Sequence, residues 1–301
     1  MENAACFDIG GTFIKYGIVD EEGNILFKSK FETPKKNCKV NIPAIISKYV
    51  KELSKCFQIS CIGISTAGQV DSDKGEIVFA SDNLPEYTGT KLSKNVEELT
   101  GYECTIENDV NAAALGELWK GSLEGSNTFL FLTLGTGIGG AIIIDGKLYK
   151  GIHGGAGEAG HMVLNENGED CNCGGKGCYE RYASTSALVR IYSKMANVPS
   201  GSVNGEIIMD KVEKGDGIAV KAYNEFTNHI VSGLLGLSYL LDPGFIVIGG
   251  GISENKKFIE DINNKFKQKA MVSYAENTKI IQSTLKNDSG LIGAAYVAFN
   301  Y

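Results

Sequence analysis

The chain has 301 residues, 43% hydrophobic and 22% charged, with a net charge of −7, enough apolar material for one large domain or two ordinary ones. Acidic and basic residues are interspersed, which argues against a non-specific nucleic-acid surface, and no apolar run is long enough to span a bilayer. Without a signal-peptide pattern, a cytoplasmic chain whose isolated cysteines are reduced is expected.

Residues 4–9 form a short apolar strand broken by Gly10-Gly11. Residues 13–19 alternate, Asp20-Glu21-Glu22-Gly23 signals a turn, and residues 24–31 return as a strand. Apolar residues at Ile42, Ile45, Ile46, Tyr49, Val50 and Leu53 predict a helix over 42–57. A buried strand over 59–64, a helix over 92–99, a strand over 104–106 and an Ala-rich helix over 110–119 follow. Cys6, Cys61 and Cys104 lie in strand-like runs and read as small core residues.

A second meander then begins: 128–134, a glycine-rich turn, 141–144, the Asp145-Gly146 turn, and 147–149. The strand–glycine turn–strand unit therefore occurs twice, which predicts a duplicated α/β architecture with a cleft between two halves. The chain is mostly helical from the cysteine-rich segment to Leu241, then strand 245–248 ends in Gly249-Gly250-Gly251. An amphipathic helix over 291–299 closes the pattern. The expected domains are 1–120, with 289–301 packing back on it, and 121–288, joined by a packed hinge near Gly121.

Several segments carry chemistry. Phe7-Asp8-Ile9-Gly10-Gly11-Thr12 places a carboxylate at a strand end, then two glycines and a hydroxyl. Glycines let backbone N–H groups approach phosphate oxygens, and Asp8 is suited to hold Mg²⁺. The same pattern occurs in hairpins, and it is not a dinucleotide fingerprint because a strand follows it. Leu134-Gly135-Thr136-Gly137-Ile138-Gly139-Gly140 repeats the logic, and Gly249-Gly250-Gly251 offers flat backbone for an adenosine. Asn108-Asp109 joins a strand to a helix. Either residue suits a helix cap; alternatively Asp109 accepts a proton from an attacking hydroxyl while Asn108 orients the substrate.

Cys171, Cys173 and Cys178 fall within eight positions, and His161 precedes them shortly. Together they make a Cys₃His set suited to a structural zinc. His153 and His229 read as structural residues.

These segments together resemble the ROK family (repressor, open reading frame, kinase) of the actin-like, hexokinase-like ATPases, over essentially the whole chain. The resemblance implies an α/β, actin-like (ribonuclease H-like) duplicated two-domain ATPase fold with an interdomain cleft. It implies an ATP-dependent sugar kinase using Mg²⁺ and carrying structural Zn²⁺ on His161, Cys171, Cys173 and Cys178. Asp109 is then the catalytic base, and Gly68, Asn83, Asn108, Glu158, His161 and Glu180 face the sugar. Asp8, Gly10, Gly11, Thr12, Lys15, Gly135, Thr136, Gly137, Gly139, Gly249, Gly250 and Gly251 bind the nucleotide. Where many relatives carry a Pro-Gly pair, this chain has Thr66-Ala67-Gly68, beside the expected sugar.

Glucose is the leading substrate, phosphorylated at O6, because Glu158 matches the glucokinase members. N-acetylmannosamine and a β-glucoside are the alternatives, and a sugar-sensing regulator is the alternative of another class. Such regulators carry a DNA-binding segment before the first phosphate motif, whereas Asp8 lies almost at the start of this chain. The expected partners are a small-molecule sugar and a second copy in a homodimer, without nucleic acid or membrane.

Overall fold

The computed structural model describes residues 2–121, 123 and 125–301. In chain order the elements are β1 (Asn3–Ile9), β2 (Phe13–Asp20), β3 (Ile25–Glu32), α1 (Cys38–Leu53), β4 (Cys61–Thr66), β5 (Gln69–Asp71), β6 (Glu76–Phe79), α2 (Leu92–Thr100), β7 (Cys104–Asn108) and α3 (Asp109–Lys120). They continue with β8 (Phe129–Leu134), β9 (Ile138–Ile144), β10 (Lys147–Leu148), α4 (Glu180–Ala183), α5 (Thr185–Ala196), α6 (Gly205–Glu213) and α7 (Gly217–Leu241). The last are β11 (Phe245–Gly249), α8 (Lys256–Lys269), α9 (Val272–Asn277), β12 (Lys279–Gln282) and α10 (Ser289–Asn300). Among the described residues, no helix is long and apolar enough to cross a membrane.

The chain divides into two compact units. The first comprises Met1–Gly125, Leu148–Ala156 and Asn287–Tyr301, and the second Ser126–Lys147 and Gly157–Lys286. Each holds a five-stranded sheet of the same form, ordered β3-β2-β1-β4-β7 and β10-β9-β8-β11-β12. In the first, β1 pairs antiparallel with β2 and parallel with β4, and β4 pairs parallel with β7. In the second, β8 pairs antiparallel with β9 and parallel with β11, and β11 pairs parallel with β12. The duplicated mixed α/β architecture is thus present strand for strand.

In the first unit, β1 is central and covered on both faces, which is why it reads as an unbroken apolar run rather than an alternating one. Ala5, Phe7 and Ile9 enter the cluster built with α1 residues Ile42, Ile46 and Val50. The intervening Ala4 and Cys6 pack with Leu291, Ala294 and Ala295 of α10. That helix is not amphipathic as expected. Gly290, Leu291, Ile292, Gly293, Ala294, Ala295 and Val297 are all buried, because the sheet holds one face and α3 the other. Small residues permit the approach: a Cβ at Gly293 would collide with the Ala112 carbonyl, and one at Gly63 with the Ala294 carbonyl.

Other boundaries also differ from expectation. Helix α1 starts at Cys38, not residue 42, and runs through Pro43 to end at Leu53. Residues 148–156 cluster with the first unit, not with 121–288, because Lys150 ion-pairs with Glu107 at 3.0 Å and donates to Ser72 Oγ at 2.5 Å. Gly121 caps α3; of the hinge expected around it, residues 122 and 124 lie outside the described residues. Cys6 and Cys104 are buried as expected, whereas Cys61 is half-buried.

In the second unit, the long α7 runs through the core, capped by Asp216, whose carboxylate accepts from Ile218 and Ala219 N–H. The Tyr179 hydroxyl donates to the Ile230 carbonyl at 2.7 Å, and its ring fills the space left by Gly233. This contact seats the end of the cysteine loop on α7.

Candidate active site and metal centre

In the first unit the parallel strands β1, β4 and β7 end side by side. Ile9 pairs with Thr66, and Thr66 with Asn108, so three loops gather at one edge of the sheet. Carboxyl ends of parallel strands are where open α/β sheets bind ligands, since the loops there are free of the ladder.

Asp8 lies at this edge, its side chain 16% exposed. Its Oδ1 accepts from Ser65 Oγ at 2.9 Å and its Oδ2 from Lys15 Nζ at 3.1 Å. Gly290 is required beside it, since a Cβ there would come within 2.6 Å of Asp8 Cγ. In the following turn the Gly10 carbonyl accepts from Thr33 Oγ1, the Gly11 carbonyl from Lys35 Nζ, and the Thr12 carbonyl from Thr33 N–H. The turn is thereby pinned through its carbonyls, and the Gly11 and Thr12 amides find no protein acceptor among the described residues. Asn83, exposed after β6, lies against this turn, with its Cβ 3.0 Å from where a Gly11 Cβ would be.

Asn108 caps α3: its Oδ1 accepts from Val110 N–H at 2.9 Å and Asn111 N–H at 3.1 Å. The structural reading of Asn108 is therefore correct as far as it goes. Its amide also donates to the Gly68 carbonyl at 2.9 Å and to Asp109 Oδ1 at 3.0 Å. Gly68 has φ +112° and packs 2.6 Å, measured from a notional Cβ, against the Phe79 carbonyl, so only glycine fits there. Asp109 is half-buried at the first helical position. Burial pushes its carboxyl up to about 7, with the Asp8 charge adding to the shift and hydrogen bonds from Val110 and Asn108 opposing it.

Sequence reasoning missed Ser65, Glu107 and Lys150. Ser65 follows from strand register, since it pairs with Asp8 across β1 and β4. Glu107 is 3% exposed, and its Oε1 accepts from Asn108 N–H at 2.9 Å and Asn111 Nδ2 at 3.0 Å. Its place beside Asn108 was the available signal; nothing in sequence pointed to Lys150 as its partner.

In the second unit, β8 and β11 are parallel neighbours, Gly249 pairing with Thr133, so the glycine turns after them lie together. A Cβ at Gly250, which has φ +90°, would strike the Leu134 carbonyl. The turn after β8 is fixed through the Gly135 carbonyl, which accepts from Thr185 N–H at 2.8 Å and Thr185 Oγ1 at 2.5 Å. Thr136 is exposed at its tip. Gly137 is held close to Glu180: a Cβ there would lie 2.5 Å from Glu180 Oε2, and that oxygen accepts from Ile138 N–H at 3.4 Å. Gly139 follows within β9. Glu158 is exposed just before the short helical turn Ala159–His161.

Glu180 also meets the cysteine loop, where the Cys171 thiol donates to its Oε1 at 3.3 Å. The donor atoms of His161, Cys171, Cys173 and Cys178 all lie within 4.8 Å of one another. Cys173 Sγ and Cys178 Sγ are 3.6 Å apart, and Cys171 Sγ and His161 Nδ1 3.8 Å. Two thiolates bound tetrahedrally at about 2.3 Å from a zinc would stand about 3.8 Å apart, so the donor set fits that ion. Backbone pairing builds the loop: Val163 bridges Cys178, and Asp170 bridges Lys176. His153 is exposed, and His229 packs at a tilt against the Tyr182 ring, so neither joins the cluster.

With this geometry in view, the chain matches the family model described as "ROK family" over residues 4–300. It is 36% identical to a glucokinase of Streptomyces coelicolor, over 97% of this chain and 96% of that protein. It is 34% identical to a beta-glucoside kinase of Listeria innocua, again over 97% and 96%. Among solved structures it resembles a ROK family glucokinase from Streptomyces griseus in complex with glucose and AMPPNP. There the TM-score is 0.85 and the identity 33%, covering 99% of this chain and 100% of that one. A match over nearly the whole length, shared with full-length relatives, means that this chain belongs to the ROK family.

Proposed function

We propose that this chain is an ATP-dependent sugar kinase that phosphorylates a primary hydroxyl, O6 of a hexose, with glucose as the leading substrate. The observation that carries the reading is Asp109, a half-buried carboxyl lifted to about 7 at the strand–helix junction. A carboxylate of that basicity suits proton removal from a hydroxyl at neutral pH.

Asn108 and the Val110 N–H both bond to Asp109 Oδ1, which leaves Oδ2 as the proton acceptor. As the sugar oxygen attacks the γ-phosphorus in line, the bond to the β,γ-bridging oxygen opposite breaks, ADP leaves and the hydroxyl proton passes to Oδ2, while Asn108, Asn83 and Gly68 orient the sugar beside it. Glu158, His161 and Glu180 supply further hydroxyl contacts. The amides of Gly11 and Thr12, with Lys15, and those around Gly135, Thr136, Gly137 and Gly139 hold the phosphates; Gly249, Gly250 and Gly251 accommodate the adenosine. Bound Mg²⁺–ATP supplies the phosphoryl group and its charge neutralisation. Asp8 suits the metal, because Mg²⁺ is commonly held by one carboxylate together with phosphate oxygens and water. Zinc on His161, Cys171, Cys173 and Cys178 is structural, its four protein donors leaving no open position. Burial pushes the Cys171 and Cys178 thiols up, so zinc uptake releases protons.

The similarity to a beta-glucoside kinase is nearly as high as that to a glucokinase, which keeps a β-glucoside as the second substrate reading. The test is coupled ADP release with Mg²⁺–ATP, for the native chain and Asp109→Asn, across glucose, N-acetylmannosamine, fructose, allose and cellobiose. Turnover with one sugar, lost in the variant, is expected. Full turnover in Asp109→Asn would remove the base assignment, and silence across the panel would favour a sensing role.

A further inference from the structure

The ion pair behind the catalytic junction has no part in the chemistry just described. Both Glu107 oxygens are in use: Oε1 accepts from Asn108 N–H and Asn111 Nδ2, and Oε2 faces Lys150 Nζ at 3.0 Å. Lys150 is gripped on two further sides, by Ser72 Oγ and by the Tyr301 ring at 5.4 Å. It stands at the start of the segment Leu148–Ala156, whose turn is closed by Ala156 N–H donating to the Lys150 carbonyl at 3.1 Å. A cavity of about 430 Å³ opens onto the pair and is lined also by Ser93, Glu97 and Thr105.

We propose that Lys150 and Glu107 form a positioning pair that holds the Asn108–Asp109 junction in its reactive geometry and ties the Leu148–Ala156 strap to it. The inference rests on Asp109 being the base. A buried carboxylate keeps two junction donors in place only while its charge is balanced, and Lys150 is the cation that balances it. Replacing such a pair by apolar packing is often close to neutral, whereas removing one partner leaves the other charge buried without a counterion, and at Glu107 that cost falls on the junction it holds. If its cation is removed, Glu107 turns toward the cavity and releases the Asn108 N–H and the Asn111 amide. Asn108 then no longer fixes Asp109 Oδ1, and the proton acceptor loses its aim. Small displacements of this kind are expensive for a reaction that depends on alignment.

The experiment is Lys150→Ala in the full chain. The expected result is a fall in kcat of at least about tenfold, with the KM for ATP within about twofold of native, since the nucleotide turns are untouched. Added ethylammonium, entering through the cavity, restores part of that kcat. Hydrogen exchange quickens at the Asn108, Val110 and Asn111 amides while the middle of α3 stays protected. If Lys150→Ala does not fold, Glu107→Gln combined with Lys150→Met removes both charges together. Its kcat loss should match that of Glu107→Gln alone, because the two side chains act as one unit. A folded Lys150→Ala enzyme with native kcat, or losses that add in the double variant, would overturn the proposal. If the native chain phosphorylates no sugar, the kinase reading falls, and the exchange measurement still decides the pair: unchanged junction amides would refute it.

Discussion

Replacing Asp109 by Asn should remove turnover and at the same time raise stability, in a pH-dependent way that follows from where the carboxyl sits. Its ionisation is moved from 3.8 in the unfolded chain to about 7 in the folded one, chiefly by burial. Between those values the folded state binds the proton more tightly, so folding stability falls as pH rises through the window. At about 1.4 kcal/mol per unit, the raised ionisation costs the folded state roughly 2 kcal/mol at pH 5, where it keeps a proton the unfolded chain loses, and roughly 4 kcal/mol at pH 8, where the buried group is ionised. Asn carries no such cost, while any lost packing or altered capping in the variant is the same at both pH values. The stability difference between variant and native protein should therefore shift by roughly 2–3 kcal/mol in the variant's favour from pH 5 to pH 8. Urea unfolding at the two pH values, followed by far-UV circular dichroism, measures it through the midpoint and slope. A difference that is flat with pH would mean that Asp109 ionises as an ordinary carboxylate, and would undercut its assignment as a base tuned to neutral pH.

Three other outcomes are expected. The kcat/KM of the native enzyme should fall tenfold per unit of pH below about 7, because Asp109 must be ionised to accept the proton; a profile flat down to pH 5 would contradict this. Metal analysis should find about one zinc per chain, and Cys178→Ser or strong chelation should lower the melting temperature by several degrees, since ligand assembly is linked to folding. Unchanged melting after complete metal removal would sink the structural role. Gly293→Ala should destabilise the first unit by about 2–3 kcal/mol, because the added methyl meets the Ala112 carbonyl of α3 and both helices are locked in the core. A melting curve identical to native would show that the α3–α10 contact has more room than the distances imply.

Much of the architecture was legible because apolar runs, turn signals and glycine pairs repeat in the same order in both units. β1 reads as a continuous apolar run because both faces are covered, and β8 does so for the same reason. The strand β12, the helix α8 and the hairpin β5–β6 were not legible. Residues 279–282 are a four-residue edge segment, and residues 256–269 are mostly polar with a narrow apolar stripe of Phe258, Ile259, Ile262 and Phe266. The last helix was misjudged for a physical reason: its small residues, Gly290, Gly293, Ala294 and Ala295, look like a weak exposed face. They are small because α3 and the sheet press against them from both sides. At the site, the glycine turns and Asn108-Asp109 stand out as local patterns. What holds Asp109 and Asp8 does not, since Ser65, Glu107 and Lys150 reach them only through strand register and a distant strap.

The first unit is discontinuous along the chain. Its apolar cluster of Ala4, Cys6, Val19, Leu291, Ala294 and Ala295 joins residues separated by the whole of the second unit. The second unit is nearly contiguous, residues 126–286 broken only by 148–156, whereas one face of β1 in the first unit stays uncovered until residues 289–300 are made. Until residues 289–300 arrive, Asp8 also lacks its neighbour Gly290. A chain cut back to residue 286 would therefore keep every residue of the second unit and lose the backbone that closes around Asp8 in the first.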